Sequence, residues 1–399
     1  MAAAEIGKQD NGGITRLPFS EEERAVKELA AAFMQEAGLT VREDAAGNLI
    51  GRKEGKHPEA PVIMVGSHLD TVVNGGGFDG ALGVLAGIEA LHSMNERGIW
   101  TDHPIEVVAF TNEETTRFPN AMIGSRGMTG ALTEADLQQK DGQGTTLQQA
   151  MRHAGYDPEA IPQAIRTEGE IKAYVELHIE QGKILEARGL SVGVVEAIYS
   201  QLGDKFILEG ESGHAGTTPM QLRNDALMAA AEVMGAIEQE ARMAGNVATI
   251  GQLRVFPGGL NIIPGKVEFT LDLRHTGDEA RDAFERKLIG LAERICEQRG
   301  IKLTVHNLFR NSGAPCEGWI REAIGAACSS AGLEAYELIS GAGHDAMHMQ
   351  KLCPIGMIFV RSRNGLSHNP EEYSSPEDCG DGAEVLCRTL LKLSSMTNE

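Results

Sequence analysis

Three observations predict an α/β protein: a larger domain with a central mixed sheet flanked by helices, carrying a smaller two-layer α+β insert. Apolar strands alternate with helices over the first part of the chain, the order expected of an open α/β sheet. Between about residues 204 and 307 the pattern reads strand, helix, strand, strand, helix, strand, which is the split-βαβ, ferredoxin-like arrangement. Past that segment the chain returns to α/β character. The expected division is a larger domain made of residues 1–197 and 312–399, interrupted by a domain at 198–311.

Each element has a local cause. Ser20-Glu-Glu-Glu23 is a capping-box signature that opens a helix running to Ala37, with Gly38 as its left-handed stop. Ala45-Ala-Gly-Asn48 is a turn between two short strands. An apolar strand at 61–67, a helix from Ala81 to Arg97 and a strand at 104–111 follow. The insert is read as strands at 204–211, 248–256, 266–273 and 301–307, with helices at 224–243 and 278–299. The last elements are a helix at 317–330, strands at 334–339 and 354–361, and a helix with Pro376 in its first turn.

Composition excludes several classes. A net charge of −21 over 399 residues would repel nucleic acid and anionic membranes. No apolar run is long enough to span a bilayer, and the N-terminus lacks the pattern of a signal peptide. Six cysteines without a C-x-x-C pair argue against a thiolate metal site and fit buried, reduced thiols. The expected location is cytoplasmic.

The chemistry lies where apolar strands end. Gly66-Ser-His-Leu-Asp-Thr71 and Gly76-Gly-Phe-Asp-Gly80 place His68, Asp70 and Asp79 after the strand at 61–67. Glu113 and Glu114 end the strand at 104–111, and His368 follows the run Pro354–Val360. In Tyr174–Glu180 the strand period of two puts Glu176, His178 and Glu180 on one face. Taken singly, that segment reads as an edge strand with a solvated face, and Glu113 as an exposed acid. Jointly, side chains gathered beyond the carboxyl ends of strands suggest a hydrolase built around two metals. Nitrogen and oxygen donors without thiolate fit Zn, Mn, Co or Ni.

These segments, with Gly213-His-Ala-Gly-Thr-Thr-Pro219 and Ser340-Gly-Ala-Gly-His-Asp345, occur in the order found in one family. The chain resembles the amidase/hydantoinase/carbamoylase branch of the zinc aminoacylase–carboxypeptidase superfamily over essentially its whole length. The resemblance implies two divalent ions per subunit, with zinc the first expectation. Asp79 would bridge them, His68 and His178 would complete one position, and Glu114 and His368 the other. Asp70 would fix the His68 tautomer, and Glu113 would be the general base.

The same resemblance implies that the insert is a lid and the contact of a homodimer. His214 would stabilise the oxyanion from the partner subunit, and Asn261 and Arg274 would hold a substrate carboxylate. Without the resemblance, Arg274 reads as a surface charge or as a partner of Asp272. Gln181, Gly343 and His344 are further expected substrate contacts. The implied substrates are ureido or carbamoyl carboxylates: an N-carbamoyl-L-amino acid first, allantoate as the alternative. A deacylase or peptidase, or a silent ureide-binding homologue, are more distant readings. Three departures from the family pattern stand out. Thr115 and Ser200 occupy positions usually held by glycine, implying a disturbed bend beside Glu113 and a stiffened hinge. The N-terminus is shorter, implying loss of a first helix.

Overall fold

The computed structural model describes residues 2–396 and separates into two compact units. One takes the chain up to Ala197 and again from Pro315; the other is Ile198–Ala314.

The larger unit is built on a nine-stranded mixed sheet. Its central strands run in the order Leu49–Lys53, Ile105–Phe110, Val62–His68, Ile171–Ile179, Ile355–Val360, Val192–Ile198. The inner four are mutually parallel, and the strands flanking them are antiparallel. Parallel strands need both faces covered, and Val62–His68, Ile105–Phe110, Ile171–Ile179 and Ile355–Val360 are buried at every residue. The helices Glu21–Glu36, Ala81–Glu96, Gly318–Ser330 and Pro376–Ser395 supply that cover with residues such as Met34, Leu91, Ile324 and Leu390. Ile171–Ile179 is therefore a central strand, and the solvated edge that its sequence alone suggested does not occur.

Side-chain caps open the helices Glu21–Glu36, Ala226–Ala244 and Pro376–Ser395, with one refinement at the first. Ser20 accepts the backbone N–H of Glu23, but the Glu23 carboxylate turns back to the N–H of Phe19 instead of Ser20. A helical turn spans Ala2–Glu5. The buried guanidinium of Arg16 ties that turn down, donating to the carbonyls of Ala3, Ile6 and Leu69. All six cysteines are free, and four are buried. Among the described residues no helix is long and apolar enough to cross a membrane.

The smaller unit is a four-stranded antiparallel sheet in the order Lys302–Asn311, Ser200–Glu209, Lys266–His275, Val247–Phe256. Two helices, Ala226–Ala244 and Asp278–Gln298, pack on it. Val267, Phe269, Leu271 and Leu273 alternate into its core against Phe206, Val233 and Leu288, as the strand period requires. Ser200 starts a strand here and is no slack joint: it pairs with His275, and its hydroxyl donates to the His275 carbonyl at 2.8 Å.

Candidate metal centre

Five side chains of the larger unit, two at the ends of strands and three from loops, converge into two groups that share Asp79. His68, Asp79 and His178 form one, and Asp79, Glu114 and His368 the other, with donor atoms in each within 4.8 Å of one another. Asp79 Oδ1 lies 3.1 Å from His178 Nε2 and 3.5 Å from His68 Nε2. Its other oxygen lies 3.3 Å from His368 Nε2, which is also 3.2 Å from Glu114 Oε1. One carboxylate thus presents one oxygen to each group.

Both buried histidines have their tautomers set from behind. His68 Nδ1–H donates to the backbone carbonyl of Asp70 at 3.0 Å, and His178 Nδ1–H to that of Ile179 at 2.9 Å. A carbonyl can only accept, so Nδ1 carries a proton and Nε2 is the nitrogen turned to Asp79. Gly80 permits the approach: it has φ +64°, and a Cβ there would come within 2.5 Å of the His68 ring.

The donor set fits divalent ions. It is nitrogen and carboxylate oxygen, two imidazole lone pairs aim at one point, and the carboxylates are buried. Burial alone would raise the Asp79 carboxyl; contacts from His178, His368 and His68 instead hold it well below the usual range. Burial would lower His68, yet Glu113, Asp79 and Asp70 hold it well above. His368, bonded to Asp79 and Glu114, is raised to about 10. These acids thus demand positive charge at this point, which bound cations would supply.

The Glu113–Glu114 pair is aimed by a backbone bend. The left-handed residue there is Asn112, at φ 54°. Thr115 is outside that region and needs no glycine. Glu113 Oε2 lies 3.7 Å from His68 Nε2, and burial pushes the Glu113 carboxyl well up. Asp70 has a different task from the one its spacing suggested. Its carboxylate accepts the N–H groups of Glu113 and Glu114 at 3.1 and 3.0 Å, whereas its nearer oxygen is 3.6 Å from His68 Nδ1.

Of Glu176, His178 and Glu180, only His178 reaches this centre. Glu176 accepts from Ser67, Tyr174 and the N–H of Ala346. Glu180 caps the short helix Ile184–Arg188 by accepting from Ile184 and Leu185. Gln181 donates through Nε2 to Asp79 Oδ2 at 2.8 Å, so part of it serves the carboxylate itself. His344 is buried, bonded to Ser340 and packed edge-on against the His178 ring at 4.5 Å, while Gly343 is exposed. Ser367 and Glu372, which touch Asp79 or its backbone, carried no signal in the sequence beyond flanking His368.

In the smaller unit, His214 is exposed, and its Nδ1 accepts the N–H of Gly216 at 3.1 Å. That bond leaves its proton on Nε2. Asn261 accepts through its backbone carbonyl from the N–H of Ala215. Arg274 makes a two-point pair with Asp272 at 2.8 and 3.1 Å, and Gln201 bonds the same carboxylate.

A mixed α/β unit with a shared carboxylate between two histidine-bearing groups defines a metallohydrolase class. The chain matches peptidase family M20/M25/M40 over residues 64–392 and belongs to that family, whose hydrolases use divalent metal ions. It is 52% identical over 395 residues to an N-carbamoyl-L-amino acid amidohydrolase from Geobacillus stearothermophilus, covering 99% of this chain and 97% of that one. It is 37% identical over 399 residues to an allantoate amidohydrolase from Bacillus subtilis, covering 98% and 95%. A solved amidase of the hydantoinase/carbamoylase family from Burkholderia multivorans superposes with a TM-score of 0.92 at 35% identity, covering 99% and 96%.

Proposed function

We propose that this chain hydrolyses the ureido C–N bond of N-carbamoyl-L-amino acids, releasing the L-amino acid, ammonia and carbon dioxide. The observation that carries this reading is the pair of donor groups sharing Asp79 beside the buried carboxylate of Glu113. The choice of substrate follows the 52% identity to an N-carbamoyl-L-amino acid amidohydrolase. Allantoate is the second reading, favoured by the 37% relative and by the ureido and carboxylate groups common to both substrates.

His68, Asp79 and His178 would hold one ion, and Asp79, Glu114 and His368 the other, with zinc first and Mn, Co or Ni fitting the same donors. When bound, these ions supply a water of lowered proton affinity and an electrophilic contact for the carbonyl. Glu113 takes a proton from the attacking water and delivers it to the leaving nitrogen. Asp70 holds Glu113 and Glu114 in place through their N–H groups. Gln181 has Nε2 committed to Asp79, and its buried Oε1 accepts from a ureido N–H.

The inserted unit acts as lid and homodimer contact. Its His214, supplied across the dimer, donates Nε2–H to the developing oxyanion. Arg274 and Asn261 hold the substrate carboxylate, with Asp272 keeping the guanidinium fork flat and oriented. Gly343 and His344 complete the substrate wall, the latter by backing His178. Parallel assays on N-carbamoyl-L-methionine and allantoate test the substrate assignment. Turnover of allantoate alone would transfer it to the second reading.

A further inference from the structure

We infer that Glu372 is a positioning residue that fixes how Asp79 is shared between the two donor groups. The inference rests on the ligand set proposed above and concerns a residue outside it.

A carboxylate that serves two groups must be held against translation of its backbone and rotation of its plane. Glu372 acts on the first directly. It is 6% exposed, and its Oε1 accepts the N–H groups of Phe78 and Asp79 at 2.9 and 3.0 Å. Its Oε2 lies 2.9 Å from Ser367 Oγ, which is 2.7 Å from Asp79 Oδ2. Gln181 Nε2 reaches the same Oδ2 and stands 3.2 Å from Ser367 Oγ. Rotation of Asp79 would break these contacts, and they meet at the oxygen that faces His368.

Gly76 shows how closely the loop is seated. A Cβ there would lie 2.2 Å from Glu372 Oε1, so only glycine lets that backbone rest on the carboxylate. The N–H of Glu372 bonds the carbonyl of Asn369, tying it to the turn that carries His368. One side chain thereby locks the Asp79 loop to the His368 loop across a separation of 293 residues.

Glu372→Ala leaves two buried N–H groups unpaired. Glu372→Gln keeps a carbonyl oxygen for them, and its amide turns the single Ser367 proton toward Asp79. The test strips the full chain of metal and titrates it with zinc against a competing chelator, alongside amide exchange of Phe78 and Asp79. Glu372→Ala is expected to weaken zinc binding by about 10–100-fold and to speed exchange at both amides. Gly76→Ala, which displaces the carboxylate without removing it, should do the same, and Glu372→Gln should restore most of the affinity. Unchanged affinity and exchange in Glu372→Ala, or in Gly76→Ala should the former not fold, overturn the assignment. Glu372→Gln as weak as Glu372→Ala also overturns it, since charge and not geometry would then matter. A wild type binding fewer than two zinc equivalents, or Asp79→Ala binding like wild type, would count against the ligand set instead. The amide exchange still judges Glu372 in that case, because it needs no metal.

Discussion

Asp70 Oδ1 accepts the backbone N–H of Glu113 at 3.1 Å, and its second oxygen takes the next N–H in the chain at 3.0 Å. A buried side chain two residues after one proposed ligand therefore fixes the segment bearing both another ligand and the proposed base. Asn at position 70 would turn its NH₂ toward one of these donors. Asp70→Asn should cost about 1–3 kcal/mol of stability through the unpaired N–H. Its kcat should fall about 10–100-fold as the Glu pair shifts. Denaturant midpoints and steady-state rates measure both; unchanged values would show that the clamp is idle.

Glu113→Gln should abolish turnover while zinc uptake stays at the wild-type stoichiometry. The amide cannot take a proton from water, yet it fills the same volume. Metal analysis beside single-turnover kinetics checks this, and a wild-type rate would remove Glu113 from the mechanism.

Arg274→Ala should raise KM for carboxylate substrates by about 10–100-fold, the loss of a charge-assisted two-point contact worth about 1.5–3 kcal/mol. Lysine should rescue it poorly, because an ammonium cannot reproduce the planar fork already braced by Asp272. A normal KM in the alanine variant would leave Arg274 as Asp272's partner alone.

His348 offers a pH test remote from the proposed ligands. Burial, aided by Lys351 and Arg126, lowers it to about 4 from 6.5. The unfolded chain then binds the extra proton between those two values, so stability rises with pH across that window. The contribution is full above pH 6.5 and is lost as pH falls through 4. His348→Met should flatten this acid limb, removing on the order of 3 kcal/mol of its pH dependence. Urea midpoints of both proteins from pH 4 to 7 give the comparison, and parallel curves would refute it.

Much of this was legible because strands and metal donors leave local marks. Val62–His68 and Ile105–Phe110 announce themselves as apolar runs, and the side chains after them fall where parallel sheets gather function. What stayed hidden is decided by contacts distant in sequence. Nothing near Glu372 shows that it will meet Phe78, and nothing in Gln181 shows that its amide nitrogen will turn to Asp79. The bend before Glu113 was expected to depend on Thr115; it sits at Asn112, a residue type that tolerates the left-handed region. The Asp70 spacing suggested a carboxylate behind His68, but the carbonyl does that work and frees the carboxylate for the Glu pair.

The proposed ligands are spread from His68 to His368, with the whole inserted unit synthesised before the last of them. During translation the chain would expose four of the five donors for on the order of ten seconds or more before His368 and Glu372 emerge. In that interval His68, Asp79 and His178 are already made, whereas the second group still lacks His368. Loading of the second position is therefore an event of the finished polypeptide, and an ion there cannot serve as the seed around which the nascent chain folds.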